Sequence, residues 1–167
     1  FVGVVALAFF AMHLSQPLTP NYLESVRNLS LSETGLIFSL GALGNALMAV
    51  TISRIHPRNG FLIAQATVIL FALCIWLGTS LPVFALGYFL LGGFRASRAM
   101  FISQARELIP ASQMGLAYGT LETVTSIITV ITPIVAGYLF TPEPARVYQI
   151  AIGLILVSIA VSYLYSP

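Results

Sequence analysis

Where the charges fall constrains this chain more than any other property. Uncharged runs cover residues 1–23, 34–53, 59–94, 108–121, 123–142 and 147–167. A helix rises about 1.5 Å per residue, so about 20 apolar residues cross the hydrocarbon of a bilayer. The 59–94 run is too long for one crossing, and Gly78-Thr79-Ser80-Leu81-Pro82 divides it with turn-forming residues. Glu122 alone separates the fourth and fifth runs. The pattern therefore predicts an all-α membrane protein with six transmembrane helices over roughly 2–23, 33–53, 60–79, 83–106, 113–140 and 146–165.

Composition excludes the alternatives. The chain of 167 residues is 58% apolar and 7% charged. A soluble domain carries about 25% charged residues, so too few polar side chains are present to cover a soluble surface. All the basic residues are arginine and all the acids glutamate, and the net charge of +2 is too small for a nucleic-acid partner. The one cysteine, Cys74, lies inside an apolar run, which rules out a disulfide framework or a cysteine metal site. No metal or cofactor is expected.

Local signals fit the spans. Ser30 and Glu33 form a capping-box pair at the start of the second helix. Pro57 and Asn59-Gly60 punctuate the next loop, Pro110 ends the fourth helix, and Pro142 with Pro144 ends the fifth. Arg54, Arg58 and Arg106 fall at one face of the membrane, Arg27 and Arg146 at the other. That bias predicts cytoplasmic 54–60 and 106–112 loops, with both termini cytoplasmic, in a plasma (inner) membrane. A chain opening on Phe1 directly in an apolar run reads as a fragment of a longer one.

Several stretches resemble the major facilitator superfamily of transporters. Gln16-Pro17-Leu18-Thr19-Pro20-Asn21-Tyr22-Leu23 is similar to that family's first-helix exit, and Leu29-Ser30-Leu31-Ser32-Glu33-Thr34-Gly35 to its second-helix entry. Ser53-Arg54-Ile55-His56-Pro57-Arg58 occupies the place of its Asp-Arg loop. Arg54 and Arg58 match that pattern, while Ser53 replaces the aspartate and His56 a glycine. Gly87-Tyr88-Phe89-Leu90-Leu91-Gly92-Gly93 resembles the start of helix four, with Tyr88 where many first halves carry arginine. Glu107-Leu108-Ile109-Pro110, Gly115-Leu116-Ala117-Tyr118-Gly119 and Pro133-Ile134-Val135-Ala136-Gly137 resemble the passage into and along helix five. The resemblance implies that residues 1–167 form one six-helix bundle of two inverted three-helix repeats. This would be half of a twelve-helix transporter, with the second half favoured and the missing six-helix half as its partner. It also implies a cytoplasmic gating loop at Arg54 and Arg58.

Three charges lie within the spans: Arg95 and Arg98 in the fourth helix and Glu122 in the fifth. Each costs roughly 2.5–3.5 kcal/mol at bilayer depth, so such groups face the bundle interior or a wet cavity. Arg95 and Glu122 fall at similar depth on antiparallel neighbours, so Glu122 is expected to pair with Arg95 or Arg98. The reading is evenly divided between a structural pair and a functional one. One arginine is left in excess, which favours an anionic substrate. Tyr118, Glu122, Thr125, Thr129 and Thr132 share one helical face, either as a wet surface or with threonines bonding back to their own helix. His13 and Gln16 are polar positions of the first helix. In the resembled family the first and fourth helices line the cavity, which would put His13, Gln16, Arg95 and Arg98 on the substrate path. For His13 the favoured reading is a packed, hydrogen-bonded residue. Asn45 and Gln65 are expected to bond between helices; Gly41 with Gly44, and Gly115 with Gly119, to allow close backbone approach. Pro17, Pro20 and Pro133 are expected to kink or end helices.

The function expected is secondary active transport of a small solute by alternating access, with Glu122 the only membrane-depth carboxylate able to take a proton. A membrane enzyme would need a reacting centre, and no metal-binding His pair or nucleophile motif is present. A scaffold or pore subunit would repeat polar residues over most helices, whereas the third and sixth are nearly all apolar and read as outer, lipid-facing helices.

Overall fold

The computed structural model describes residues 2–165; Phe1, Ser166 and Pro167 lie outside them. Regular structure among those residues is helical throughout: α1 Val2–Leu14, α2 Thr19–Ser25, α3 Leu31–Ile52, α4 Pro57–Leu77, α5 Leu81–Leu90, α6 Gly92–Leu108, α7 Met114–Phe140 and α8 Arg146–Tyr165, with a 3-10 turn at Ala111–Gln113. Five segments are long and apolar enough to cross a membrane: Val2–Ser25, Leu31–Ile52, Pro57–Leu77, Ala111–Phe140 and Arg146–Leu164. With backbone polar groups satisfied internally, helices of this length make an integral membrane protein.

The fourth crossing departs from expectation. The sequence predicts one helix over 83–106; the structure divides it at Leu91 into α5 and α6. Gly92 and Gly93 follow the break, and glycine is the weakest helix former after proline. The Leu91 amide still donates to the Gly87 carbonyl at 3.0 Å, and Phe94 donates back to Leu91 at 2.9 Å. The axis is therefore displaced, not terminated. The first crossing is interrupted likewise at Ser15–Leu18, where Pro17 cannot donate to the helical ladder. Pro20 and Pro57 sit in the first turns of α2 and α4, where a missing amide is harmless, while Pro133 is carried inside an unbroken α7.

Helix starts follow the sequence closely. The Ser30 hydroxyl accepts from the Glu33 amide at 3.3 Å while the Glu33 carboxylate accepts from the Ser30 amide at 2.8 Å, closing the capping box. Asn28 takes φ 56° in the loop before it, a left-handed value that asparagine tolerates.

Packing makes the two halves of the chain equivalent. The first crossing packs on α7 and α8; the fourth packs on α3 and α4; and α4 packs on α8. Exchanging crossings one and four, two and five, three and six leaves this pattern unchanged. Because three crossings separate each pair, the members run in opposite directions through the membrane. Glycine permits the closest of these approaches. A Cβ on Gly44 would overlap the Phe89 carbonyl, one on Gly92 the Gly44 carbonyl, and one on Gly93 the Thr67 hydroxyl. Gly115 and Gly119, expected to act similarly, have nothing within 4 Å of an added Cβ.

Polar bonds tie the outer crossings together. Gln65, fully buried, accepts from Ser158 at 2.8 Å and donates to Ser162 at 3.3 Å, joining α4 to α8. Tyr148 donates to Thr19 at 3.0 Å. Both α4 and α8 also turn an apolar face outward, with Leu70 and Leu77 on one and Leu156 and Leu164 on the other exposed.

Candidate functional site

The polar residues of the first and fourth crossings meet on the open side of the bundle. A Cβ added to Gly41 would stand 3.4 Å from Tyr88, and the Gly44–Gly92 crossing holds α3 tightly against the α5–α6 junction. This close approach fixes the start of α6, and Arg95 follows one turn later. A cavity of about 420 Å³ lies here, lined by Gln16 and Pro20 of the first crossing, Phe38 and Asn45 of α3, and Tyr88, Phe94 and Arg95 of the fourth. A second cavity of about 500 Å³ continues from it along α3 and α6, walled by Ala46, Ala49, Ala96, Ala99 and Met100. Ala42, Asn45 and Arg95 border both, so Asn45 and Arg95 are the polar residues of the waist between them.

Arg95 is exposed at this waist. Among the described residues it has no ion pair and no side-chain hydrogen bond. Arg95 lies 95 − 81 = 14 residues into the fourth crossing and 108 − 95 = 13 from its end, roughly 20 Å from either side. An unpaired guanidinium at mid-depth is costly unless water or an anion satisfies it.

Arg98, one turn further, is spoken for. Its Nη2 donates to both Glu122 carboxylate oxygens at 2.6 Å, bridging α6 to α7, which otherwise touch little. The two side chains are 54% and 32% exposed, so the bridge stands at the open face. The depth argument left Arg95 and Arg98 as alternatives; the helix phase selects Arg98. Tyr118, one turn before Glu122, is exposed. Thr125 and Thr132 are buried and donate to their own helix, at 2.9 Å to Leu121 and 2.6 Å to Ile128. Thr129 bonds back likewise, at 2.8 Å to Thr125. Of the α7 stripe, Tyr118 and Glu122 are therefore the members with outward functional groups.

His13 is stacked, with ring centroids 6.0 Å from Phe9 and 5.6 Å from Phe94. Its Nδ1 is buried without a partner among the described residues, so the hydrogen bond expected of it is not made there. The ring instead backs Phe94, which forms part of the cavity wall. Gln16 donates to the Met12 carbonyl at 2.9 Å and lines the first cavity. Asn45, expected to bond between helices, makes no side-chain hydrogen bond among the described residues and lines the cavities instead.

The gating-loop candidates separate. Arg54 lies exposed in the turn after α3, whereas Arg58 belongs to the first turn of α4. Arg58 donates to the Tyr163 carbonyl at 3.0 Å and lies 5.2 Å from that ring, closing α4 on the end of α8. One anchoring residue escaped sequence reasoning. Arg27 donates to the Trp76 and Ile75 carbonyls and lies over the Tyr22 and Phe84 rings at 5.4 and 5.9 Å. It caps the C-terminus of α4, where carbonyls lack helical partners. Among the described residues no group of three His, Cys or Glu side chains is placed to hold a metal.

Comparison with curated proteins and with solved structures returns no match. A family model, however, spans the whole chain, and it fits an all-helical bundle with five apolar segments of membrane-crossing length. The chain belongs to the Major Facilitator Superfamily of membrane transporters, whose model matches residues 1–167.

Proposed function

We propose that these residues form one six-helix half of a secondary active transporter, with a small anion-bearing solute bound at the Arg95–Asn45 waist. The observation that carries this reading is the unpaired Arg95 guanidinium at mid-depth, at the junction of two continuous cavities. The missing half closes the open face, and rocking of the two bundles exposes the waist to each side in turn. Gln16 and Asn45 orient the solute through their carboxamides.

Coupling is assigned to the Arg98–Glu122 bridge. Protonation of Glu122 removes the negative partner and frees Arg98, so one proton both breaks the α6–α7 link and adds a free cation beside the path. The arginine bias supports an orientation with the 54–56 turn, the α6 end and both ends of residues 1–167 on the cytoplasmic side of a plasma membrane. Single-cysteine labelling at Arg54 from either side of sealed vesicles tests that orientation.

The test of function is uptake by the full transporter in proteoliposomes under an imposed pH gradient. Arg95→Gln is expected to abolish uptake while leaving the protein folded. Glu122→Gln is expected to abolish proton-driven accumulation but retain exchange of solute for solute. Full uptake by Arg95→Gln overturns the assignment of the waist. Full proton-driven accumulation by Glu122→Gln overturns the coupling assignment.

A further inference from the structure

The back of the first crossing, unlike the open face of the bundle, is closed within the described residues. Its interruption at Ser15–Leu18 is built there by side chains that stand in for backbone amides. Pro17 has no amide to give the His13 carbonyl, and the Gln16 amide takes that carbonyl instead at 3.0 Å. The Met12 carbonyl, which the Gln16 amide would meet in a regular helix, accepts from the Gln16 side-chain nitrogen at 2.9 Å and from the Ser15 hydroxyl at 3.4 Å. The Thr19 amide is likewise diverted, to the Gln16 carbonyl at 3.2 Å. The Ser15 carbonyl that it leaves accepts from the Thr19 hydroxyl at 2.5 Å.

A hydroxyl has one proton and two lone pairs. Thr19 gives its proton to Ser15, so toward a second partner it can only accept. Tyr148 of α8 is that partner, donating at 3.0 Å. The relay therefore has one direction, from Tyr148 to Thr19 to the Ser15 carbonyl. Thr125, Thr129 and Thr132 also bond back to their own helix. Thr19 accepts in addition a bond from another crossing. The Tyr148 ring stands edge-on to Tyr22 with centroids 4.9 Å apart. One side chain of α8 thus holds α2 by its ring and the α1–α2 junction by its hydroxyl. Ser15, Thr19 and Tyr148 are each 1% exposed, so a second bundle laid on the open face leaves this relay as it is.

Resting on the assignment of the waist as the solute site, we infer that Tyr148 is a positioning residue for that site. Its hydroxyl, acting through Thr19, holds the interruption in the form that sets Gln16 and Pro20 on the cavity wall. Gln16 lies in the chain between the two relay residues, and its side chain bonds the Met12 carbonyl that the same interruption frees. A change at the junction therefore moves Gln16 with it. Asn45 and Arg95 line the same cavity from α3 and α6 and do not share this backbone.

The experiment labels single cysteines in the full transporter in proteoliposomes, with Cys74→Ala and any cysteine of the missing half replaced. Gln16→Cys and Asn45→Cys are each reacted with N-ethylmaleimide, alone and combined with Tyr148→Phe, Thr19→Val or Thr19→Ser. Tyr148→Phe keeps the ring and removes only the donor. Tyr148→Phe and Thr19→Val are expected to shift the Gln16→Cys rate about threefold or more relative to the Asn45→Cys rate, the worth of an average hydrogen bond within a membrane. Thr19→Ser, which retains the hydroxyl, is expected to keep the parent ratio. An unchanged ratio in Tyr148→Phe, or equal shifts at both cysteines, overturns the positioning role. A shift in Thr19→Ser as large as in Thr19→Val overturns the relay through the hydroxyl. The waist is read separately, from the preference of Asn45→Cys for sulfonatoethyl methanethiosulfonate, an anion, over the trimethylammonium reagent of the same series. That preference is expected to fall in Arg95→Gln. If Arg95→Gln leaves it unchanged, the waist is not an anion site and Tyr148 positions no such site, whatever the Gln16→Cys rates.

Discussion

Gly44→Ala is the sharpest test of the packing that positions the waist. A Cβ at this position would overlap the Phe89 carbonyl oxygen and lie 2.6 Å from Phe89 Cα and 2.7 Å from its carbonyl carbon. Carbon atoms in ordinary contact stand about 3.5–4.0 Å apart, so α3 and α5 must part by roughly 1 Å. The obstructing atoms are backbone, so no rotamer change relieves the overlap. Overpacking of this kind costs about 1–3 kcal/mol. Against it stands the helix-forming advantage of alanine over glycine, about 1 kcal/mol. The expected net effect is destabilisation of about 1 kcal/mol for Gly44→Ala and about 2–3 kcal/mol for Gly44→Val, which adds branched bulk at the same point. Gly153→Ala on α8 supplies the opposite sign. Gly153 is exposed and an added Cβ meets nothing within 4 Å, so only the helical advantage remains. Equilibrium unfolding of the full transporter in mixed micelles measures all three. A Gly44→Ala protein as stable as the parent, beside a Gly153→Ala protein that gains as expected, would refute the close crossing.

Other substitutions probe the remaining bonds. Gln65→Leu leaves the Ser158 and Ser162 hydroxyls without their partner across the α4–α8 contact. Bonds of this kind in membranes are worth about 0.6 kcal/mol on average and at most about 1.7, so a loss of roughly 1–2 kcal/mol is expected in the same unfolding assay. Arg27→Met removes the cap on α4 and two ring contacts, with an expected loss of about 1–3 kcal/mol and no change in solute affinity by calorimetry. Arg98→Gln, by contrast, breaks a half-exposed bridge. It is expected to change stability by less than about 1 kcal/mol while altering the pH dependence of uptake; a large stability loss with unchanged pH dependence would make the bridge structural.

Five of the crossings were legible because charge is mostly kept out of lipid, so the charged clusters between the apolar runs mark membrane faces. Helix entries were legible for a similar reason: Ser30 and Glu33 satisfy backbone amides through local bonds that need no tertiary contact. Rotation about each helix axis was not. In water an apolar stripe marks the buried face, but in a bilayer lipid and core are equally apolar. Depth counting could therefore bring Glu122 level with the α6 arginines without choosing between Arg95 and Arg98, which differ by three residues and so by most of a turn. Asn45 was misread for the same reason: its distance along α3 was known, its facing was not. The silence of Gly115 and Gly119 has a related cause, since the spacing of two glycines says nothing about whether a second helix crosses them. Arg27 escaped because its partners, the Trp76 and Ile75 carbonyls, lie 49 and 48 residues away and belong to an element whose end it meets only in the fold.

The two interruptions in the bundle share one location. Gln16 lies 25 − 16 = 9 residues before the end of the first crossing, and Leu91 lies 91 − 81 = 10 residues after the start of the fourth. Those ends lie on the same side of the membrane, because consecutive crossings alternate in direction. Both breaks therefore sit roughly 14–15 Å from that side. Irregular backbone at such depth survives only where protein or a water-filled cavity satisfies it. Here Gln16 from one break and Leu91 from the other border the same cavity. Proline produced one break and a glycine pair the other, by opposite routes: one removes a donor and fixes φ, the other removes the side-chain constraint. Two unrelated chemical causes arriving at one depth and one cavity are hard to explain as independent weaknesses. They follow directly if crossings one and four are structural equivalents, each opened onto this cavity.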